Sequence, residues 1–258
     1  MKSNFEQFSA LHQIDTPFIL PNVWNVKSAL LFQELNYPAI ATSSMAVAHS
    51  LGYDDGEAMP FKEYLFIIKR ILATTKSMLS VDMEMGYGAT DEEVFDNLQR
   101  LADLGVVGVN LEDSYITKSV RGLKNADGFA SSIEWIINKL KARGLQVFIN
   151  IRCDTYILNV DNKETETAQR LKRYEAAGAN GVFLPCVYEE KDIAQCVSNT
   201  GLPLNVMLTA GLPNLDILRQ LGVKRVSMGP YLFNKLYSQI HELAKGIEKS
   251  RSLNAILS

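Results

Sequence analysis

The chain has few cysteines and no segment rich in lysine or arginine. Its three cysteines, Cys153, Cys186 and Cys196, show no C-x-x-C spacing, so the sequence indicates neither a disulfide framework nor a zinc cluster. The 26 basic and 29 acidic side chains give a formal net charge of −3. Because nucleic-acid-binding proteins usually carry a basic patch, we expect no nucleic-acid partner.

Long apolar runs are also missing. No apolar run reaches the roughly 20 residues that a transmembrane helix requires. Residues 1–7 are polar and acidic and lack the apolar centre of a signal peptide. We therefore expect a cytoplasmic protein without a membrane partner, a compartment in which free thiols stay reduced.

What the chain does contain is a regular alternation of short apolar runs with longer helix-like segments. Eight of these runs have the length and composition of β-strands, and several of the helical segments end at a glycine. The predicted strands are 18–20, 39–42, 79–82, 106–111, 146–151, 181–184, 204–207 and 225–228. Eight strand-helix units in 258 residues predict one α/β domain, a (β/α)₈ TIM barrel, with residues 231–258 as a C-terminal helical tail. A doubly wound sheet is disfavoured because no G-x-G-x-x-G follows the first strand.

Two acids follow the third predicted strand. Asp82 and Glu84 are two positions apart, and on an extended backbone such side chains point to the same side. Like charges held close together cost free energy unless a cation or a raised pKa relieves the repulsion. A divalent metal that prefers oxygen ligands is the simplest relief, and an exposed acidic turn is the alternative.

Further polar residues follow the neighbouring strands. In a barrel the carboxyl ends of all strands meet at one face, so Glu112, Asp113, Arg152 and Asp154 are expected to converge with the first pair of acids. Several carboxylates around one arginine suit a Mg²⁺ or Mn²⁺ site, and the planar fork of Arg152 suits a carboxylate or phosphonate of the substrate. The alternative is a structural network of ion pairs around the barrel rim.

Six short motifs, in this order and with this spacing, resemble the isocitrate lyase/phosphoenolpyruvate mutase superfamily. They are Pro21-Asn-Val-Trp24, Ala41-Thr-Ser-Ser44, Leu51-Gly-Tyr-Asp-Asp55, Asp82-Met-Glu-Met-Gly-Tyr-Gly88, Asn110-Leu-Glu-Asp113 and Asn150-Ile-Arg-Cys-Asp154. The resemblance implies a (β/α)₈ barrel, dependence on Mg²⁺, a small 2-oxo acid as substrate and an enolate-like intermediate. It also implies a homo-oligomer, a dimer or tetramer, in which the C-terminal helix packs on a neighbouring subunit.

The resemblance also assigns expected roles to individual residues. Asp82 would contact Mg²⁺ directly, and Asp55, Glu84 and Glu112 would hold it through water. The remaining roles concern the substrate. Its binding residues would be Trp24 as an aromatic wall, Ser43, Ser44 and Met45 through hydroxyl and backbone N–H groups, and Arg152 at an anionic group, while Arg152 and Lys118 would be catalytic.

The chain departs from the superfamily pattern at two positions. Isocitrate lyases and methylisocitrate lyases carry a Lys-Lys/Arg-Cys-Gly-His loop after strand four, whereas this chain has Lys118-Ser-Val-Arg-Gly122, with Val120 in place of the cysteine. Phosphoenolpyruvate mutase has an asparagine at that position and a histidine at the end of strand six, where this chain has Pro185. We therefore expect cleavage or rearrangement of a C–C or P–C bond in a 2-oxo acid. A phosphonomutase and a non-catalytic barrel that binds a 2-oxo acid remain the alternatives.

The segment 114–128 follows the strand that carries Glu112. It is long for a strand-to-helix connection, which favours a function. We expect it to be a mobile lid over the mouth of the barrel, and a disordered surface excursion is the alternative.

Overall fold

A computed structural model describes residues 2–118 and 120–257. In this part of the chain there are eleven β-strands, ten α-helices and one short 3₁₀ helix, Asn254–Ile256. The strands are β1 (Phe18–Leu20), β2 (Asn22–Val23), β3 (Ala39–Thr42), β4 (Met78–Asp82), β5 (Gly108–Glu112), β6 (Ser114–Thr117), β7 (Val120–Leu123), β8 (Phe148–Arg152), β9 (Gly181–Leu184), β10 (Leu204–Met207) and β11 (Arg225–Ser227). The α-helices are α1 (Asn4–Leu11), α2 (Val26–Glu34), α3 (Ser44–Ser50), α4 (Phe61–Thr74), α5 (Asp91–Asp103), α6 (Ala126–Ala142), α7 (Lys163–Ala176), α8 (Glu190–Ser198), α9 (Leu215–Gln220) and α10 (Tyr231–Ser250).

Nine parallel strands form a nearly closed barrel, which confirms the predicted fold. The strand order is β1-β11-β10-β9-β8-β5-β4-β3-β2, so β1 pairs with the last strand and β2 with β3. Both short strands belong to the first predicted strand-helix unit. Pro21 lies between them, and a proline cannot donate a hydrogen bond to a neighbouring strand. The eight predicted strand positions thus become nine strands because the first position is split.

Helix α1, which was not predicted, packs at the N-terminal end of the barrel. Ser3 caps it through a capping box with Glu6. On its buried face Phe8 packs edge to face on Phe148, and the His12 ring stacks on Phe148 with ring centroids 4.1 Å apart. Burial lowers the His12 pKa to about 3, so this ring is neutral and serves the core. With this end of the barrel filled, the opposite end is the one free for a site.

Local sequence signals predicted both ends of α5 correctly. Thr90 and Glu93 form the predicted capping box at the start of α5. Gly105, with φ of 89°, ends that helix. The following strand begins two residues later than predicted because the Val106 N–H is used at the helix end, where it bonds to the Leu101 carbonyl at 3.1 Å.

Two segments predicted as loops contain regular structure. The segment 43–57 includes α3, which Ser43 caps by accepting the Ala46 N–H at 3.3 Å. The segment 114–128 contains an antiparallel hairpin of β6 and β7, followed by the first residues of α6. Asn125 caps α6 by accepting the Gly128 N–H, so Gly128 lies inside the helix. Side-chain caps begin α3 and α6, and the pairing of β6 with β7 forms the hairpin, so both connections are shorter than predicted.

The predicted helical tail is present as α10. Of its side chains Phe233 is buried, and it packs on Trp24. Among the described residues no helix combines the length and the apolar composition of a membrane span.

Candidate active site

A cavity of about 350 Å³ opens at the C-terminal ends of the barrel strands, opposite α1. One side is polar, and six of the predicted site residues line it together: Ser43, Ser44, Met45, Asp55, Asp82 and Arg152. The other side is mostly apolar and comes from the segment after β8, the ends of β9 and β10 and the start of α10, with Ile157, Phe183, Pro185, Cys186, Met207, Tyr231 and Asn234.

Asp82, the last residue of β4, is held from both its backbone and its side chain. Its N–H donates to Thr42 Oγ1 at 3.0 Å, and its carbonyl accepts the Tyr64 hydroxyl at 3.0 Å. Ser44 Oγ donates to Asp82 Oδ2 at 2.8 Å. The other carboxylate oxygen, Oδ1, is buried and has no hydrogen-bond partner among the described residues. Burial raises the Asp82 pKa, and Arg152 opposes that rise.

Two further predicted acids, Asp55 and Glu84, also have raised pKa values. Burial raises the pKa of Asp55. Burial also raises the pKa of Glu84 to about 8, with further contributions from Asp55 and Asp82. The Glu84 carboxylate accepts the Glu57 N–H and the Tyr87 hydroxyl, both at 2.8 Å. These three acids form a crowded group of buried carboxyls.

The geometry that joins Asp82 and Glu84 differs from the predicted one. Strand β4 ends at Asp82, and Glu84 has a left-handed backbone with φ of 49°. The two acids are therefore brought together by a tight turn and not by alternation along a strand. The two acids lie close together as predicted, but the extended conformation that was predicted for Glu84 is wrong.

Arg152 and Arg121 share two buried acids. Arg152 Nη1 lies 2.9 Å from Glu112 Oε2, and its Nε donates to Asp154 Oδ1 at 2.6 Å. Arg121, from β7, contacts Glu112 Oε1 and lies 3.3 Å from Asp154 Oδ2. Ser114 Oγ accepts from Arg121 at 2.7 Å and lies 2.9 Å from Glu112 Oε1 and 2.8 Å from Asp154 Oδ2, between which its single hydrogen is shared. These residues therefore form a network of ion pairs at the barrel rim, which was the alternative prediction. Arg152 also lines the cavity.

Asp113 belongs to a separate buried network. Its Oδ2 accepts from Arg170 Nη1 at 3.0 Å and from the Tyr174 hydroxyl at 2.6 Å. Its Oδ1 accepts the Asp154 N–H at 2.9 Å. These bonds join β5 to α7 and to the end of β8, so Asp113 supports the rim and does not line the cavity.

The cavity suits a hard cation with few protein ligands. Among residues 2–118 and 120–257 no group of three or more His, Cys, Asp or Glu side chains has the arrangement of a metal cluster. Mg²⁺ does not require one, because it keeps several waters and often uses one or two carboxylates. Asp82, with its unpartnered oxygen, and Asp55 beside it fit that pattern. Glu84 and Glu112 are engaged by hydrogen bonds or arginines, so a role for them through water remains a prediction.

Four predicted site residues do not line the cavity: Glu84, Glu112, Trp24 and Lys118. Trp24 is buried, with its ring edge to face on Phe233 at 5.3 Å, so it supports the docking of α10. Lys118 is exposed in the turn between β6 and β7, with φ of 50°. Val120 is 68% exposed on the same hairpin. Arg121 is the hairpin cation that reaches the site acids.

Sequence reasoning missed several polar lining residues, namely Asn110, Cys186, Ser227, Tyr231 and Asn234. Asn110 lies inside β5, two residues before the predicted Glu112, and it was quoted only as part of a motif. Cys186 follows Pro185 directly, in the turn after β9. Extending the list of candidates to two residues beyond each strand end would have found this thiol.

Comparison with known proteins agrees with the geometry. The family model for phosphoenolpyruvate phosphomutase matches residues 8–248. An uncharacterized protein of Mycobacterium tuberculosis is 34% identical over 235 residues, which cover 91% of this chain and 86% of that protein. The chain therefore belongs to the phosphoenolpyruvate phosphomutase family, within the isocitrate lyase/phosphoenolpyruvate mutase superfamily.

Two further relatives carry functional names. An oxaloacetate decarboxylase of Ectopseudomonas mendocina is 27% identical over 229 residues, covering 86% of this chain and 77% of that protein. A Burkholderia cenocepacia protein with the provisional name phosphonomutase has a solved structure that is 32% identical, with a TM-score of 0.88, covering 95% of this chain and 100% of that one. The relatives are lyases and mutases, so the chain is an enzyme of this general kind.

Proposed function

We propose that the protein is a Mg²⁺-dependent lyase that cleaves a C–C bond at C3 of a small 2-oxo acid, the carbon next to the carbonyl, with oxaloacetate as the first substrate to test. The observation that carries the proposal is the buried, unpartnered Oδ1 of Asp82, in a small cavity that Arg152 and Ser43 also line. A substrate with two adjacent oxygen functions can bind a metal ion at Asp82 and, at the same time, the cationic side chain of Arg152.

The residues of the cavity have distinct tasks in this proposal. Arg152 binds a carboxylate of the substrate, and Glu112 and Asp154 fix the direction of its guanidinium. Ser43 Oγ accepts the Ala46 N–H, which leaves its own hydrogen free to donate to a substrate oxygen. Mg²⁺ bound at Asp82 would act as a Lewis acid on the 2-oxo group.

Two observations favour a C–C bond over a P–C bond. Phosphoryl transfer uses several cations to neutralise the transferred group, and Arg152 is the cationic side chain on the described lining. Five curated relatives, 25% to 27% identical to this chain, are named oxaloacetate decarboxylases. A phosphonomutase is the second candidate, because the family match and the Burkholderia cenocepacia relative favour it.

The test is a substrate panel with and without Mg²⁺ or Mn²⁺. Oxaloacetate, its 2-alkylmalate relatives and phosphonopyruvate are followed by proton and phosphorus NMR. We expect metal-dependent release of pyruvate from oxaloacetate above the uncatalysed rate. A phosphate ester formed from phosphonopyruvate would support the phosphonomutase. A joint thermal shift with Mg²⁺ and oxalate, without turnover of any compound, would support the non-catalytic binder.

We also propose that the chain forms a homo-oligomer through α10. Leu236, Tyr237, Ile240 and Leu243 are 40% to 49% exposed on this helix, while Phe233 is its buried anchor. A row of apolar side chains at helical spacing is a typical contact surface. Replacing Leu236 and Ile240 with glutamate should convert an oligomer to a monomer in light scattering, and an unchanged mass would refute the proposal.

A further inference from the structure

We propose that the thiol of Cys186 is the proton donor of this enzyme and protonates C3 of the enolate that bond cleavage leaves. The inference rests on the proposed lyase function. It assigns a proton donor to a chain in which Val120 stands where the related lyases have a cysteine, and Val120 is 68% exposed on the hairpin.

The position of Cys186 suits this role. It lies in the turn after β9 and lines the same cavity as Asp82 and Arg152. Its neighbours on that side of the cavity, Phe183 and Met207 among them, have no acidic proton. Tyr231, at the start of α10, is the other protic acid on this side, but its side chain is 41% exposed at the mouth.

The polar side of the cavity orients the substrate toward the thiol. Asp82 Oδ1 is buried without a partner, and Arg152 presents a cation beside it, so the oxygens of a 2-oxo acid are bound at this side. The carbon at position 3 carries no oxygen function after cleavage. It therefore faces the apolar side, where Cys186 lines the cavity beside Phe183 and Pro185.

A second cavity gives the thiol a source of protons. Cys186 also lines a polar pocket of about 180 Å³, whose other residues are Tyr156, Asn159, Lys163, Tyr188, Glu189 and Asp192. The thiol thus lines both the reaction cavity and a second pocket, three of whose polar residues, Asn159, Tyr188 and Glu189, are exposed to solvent. Water in the outer pocket can restore the proton without entering the reaction cavity.

The protonation state of the Cys186 thiol suits a proton donor. Burial raises the pKa of the Cys186 thiol, and Arg152 opposes that rise. A thiol with a raised pKa keeps its proton at neutral pH. The charge of Arg152 favours the thiolate that the transfer produces.

The step balances without a redox partner. The electron pair of the enolate C2–C3 double bond takes the proton from sulfur, so a C3–H bond forms and the S–H bond breaks. The C2–O bond becomes a carbonyl, and the product is a neutral ketone at C2 with a thiolate at Cys186. A water molecule of the outer pocket then protonates the thiolate, and hydroxide leaves to solvent.

The test uses the reverse of this step, exchange of the pyruvate C3 hydrogens in D₂O, followed by proton NMR with Mg²⁺ present. Cys186→Ser keeps the size of the side chain, and Cys186→Gly suits the left-handed backbone, whose φ is 64°. Cys196→Ala is the matched control, because this thiol is buried and lines neither cavity. Oxalate affinity, measured by calorimetry, reports whether the cavity is intact.

We expect both Cys186 variants to lose at least ~100-fold in exchange rate, as for the removal of a positioned acid. Their oxalate affinity should stay within about twofold of the wild type, and Cys196→Ala should exchange like the wild type. If wild-type protein cleaves oxaloacetate and the Cys186 variants exchange pyruvate hydrogens at the wild-type rate, the role of Cys186 is refuted and the lyase function stands. If wild-type protein neither cleaves oxaloacetate nor exchanges pyruvate, both proposals fall.

Discussion

Glu112 and Asp113 are neighbours at the end of β5, and their carboxylates bind different arginines on opposite sides of the strand. Glu112 pairs with Arg152 at the cavity, whereas Asp113 pairs with Arg170 behind it. Successive side chains on a strand alternate between its two faces, so one acid turns toward the site and the other toward the surrounding helices. Two adjacent acids therefore have separable roles.

Replacing Asp113 should reduce stability without affecting the site. In Asp113→Asn the buried Arg170 loses a charged partner, and breaking a buried ion pair typically costs about 3–5 kcal/mol. We expect a lower free energy of unfolding in urea and an unchanged affinity for oxalate with Mg²⁺. Glu112→Gln is the comparison, and it should weaken oxalate binding because it disturbs Arg152. Equal effects of the two changes on ligand affinity would contradict this division of roles.

Asp82→Asn should abolish the Mg²⁺-dependent part of oxalate binding while leaving the fold intact. The change removes a buried carboxylate whose Oδ1 has no partner, so the metal-free protein should be at least as stable as the wild type. Calorimetry with and without Mg²⁺ measures the effect. Asp54→Asn is the control, since Asp54 is an exposed acid next to Asp55. A variant that keeps its Mg²⁺-dependent affinity would remove Asp82 from the proposed metal site.

Arg152→Lys should weaken ligand binding more than it weakens metal binding. Lysine keeps the charge but cannot hold Glu112 and Asp154 with one planar group while it binds a carboxylate. We expect oxalate affinity to fall at least ~10-fold, which corresponds to the loss of one charged hydrogen bond. Binding of Mn²⁺ alone, measured by electron paramagnetic resonance, should change little. The same oxalate affinity in both proteins would show that Arg152 is structural.

Glu84 should make the stability of the metal-free protein depend on pH. Its pKa is raised from 4.5 to about 8, first by burial and then by Asp55 and Asp82. Between these two values the folded protein keeps a proton that the unfolded chain has lost, so stability falls as the pH rises from about 4.5 to 8. Each pKa unit is worth about 1.4 kcal/mol, so the fall between pH 5.5 and 8 is on the order of 2–3 kcal/mol.

Glu84→Gln, which resembles the protonated acid, should remove most of this slope. Urea unfolding at pH 5.5 and pH 8 measures it in the wild type and the variant. Glu63→Gln serves as the control, because Glu63 is a carboxylate on α4 that bonds to the Tyr53 hydroxyl and lies outside the cavity. The same slope in wild type and Glu84→Gln would show that Glu84 ionises normally in the folded protein.

Periodic and local signals predicted the barrel well, since strand runs, glycine helix ends and the Thr90 capping box each depend on a few adjacent residues. The same signals could not predict the split at Pro21 or the hairpin in the segment 114–128, because both depend on pairing with distant or facing strands. Six of the predicted site residues line one cavity together because they lie at or beyond the ends of parallel strands. The local conformation was not predicted, as the turn at Glu84 shows.

The features of the site that were not predicted are contacts between side chains of different helices and strands. Arg121 was quoted only as part of the loop Lys118-Ser-Val-Arg-Gly122, and its contact with Glu112 requires the hairpin to fold back over β5. Trp24 has the residue type of a pocket wall, but α10 packs on it from the C-terminal end of the chain. Such contacts join residues far apart in sequence, and no local pattern reports them.

The hairpin of β6 and β7 should act as the predicted lid, with Arg121 as its latch. Arg121 ties the hairpin to Glu112 and Asp154, and Lys124 Nζ donates to the Glu112 carbonyl at 3.2 Å. Opening the lid breaks these contacts and admits water to the cavity, whereas closing it shields charged groups from solvent. Of the basic residues in the segment, Lys118 is exposed at the turn, so trypsin should cut there first.

Oxalate with Mg²⁺ should slow trypsin cleavage at Lys118 at least ~5-fold more than either does alone, because a closed lid has to open before the protease can bind its turn. Mass spectrometry of the fragments measures the rate at each site. Arg121→Gln removes the latch, so it should raise the cleavage rate of the free protein and reduce the protection. The exposed Lys249, near the end of α10, provides an internal control whose cleavage the ligand should not change. If Lys118 is cut at one rate in the free and liganded wild type, the hairpin does not close over the substrate, and Arg121 fixes the rim instead.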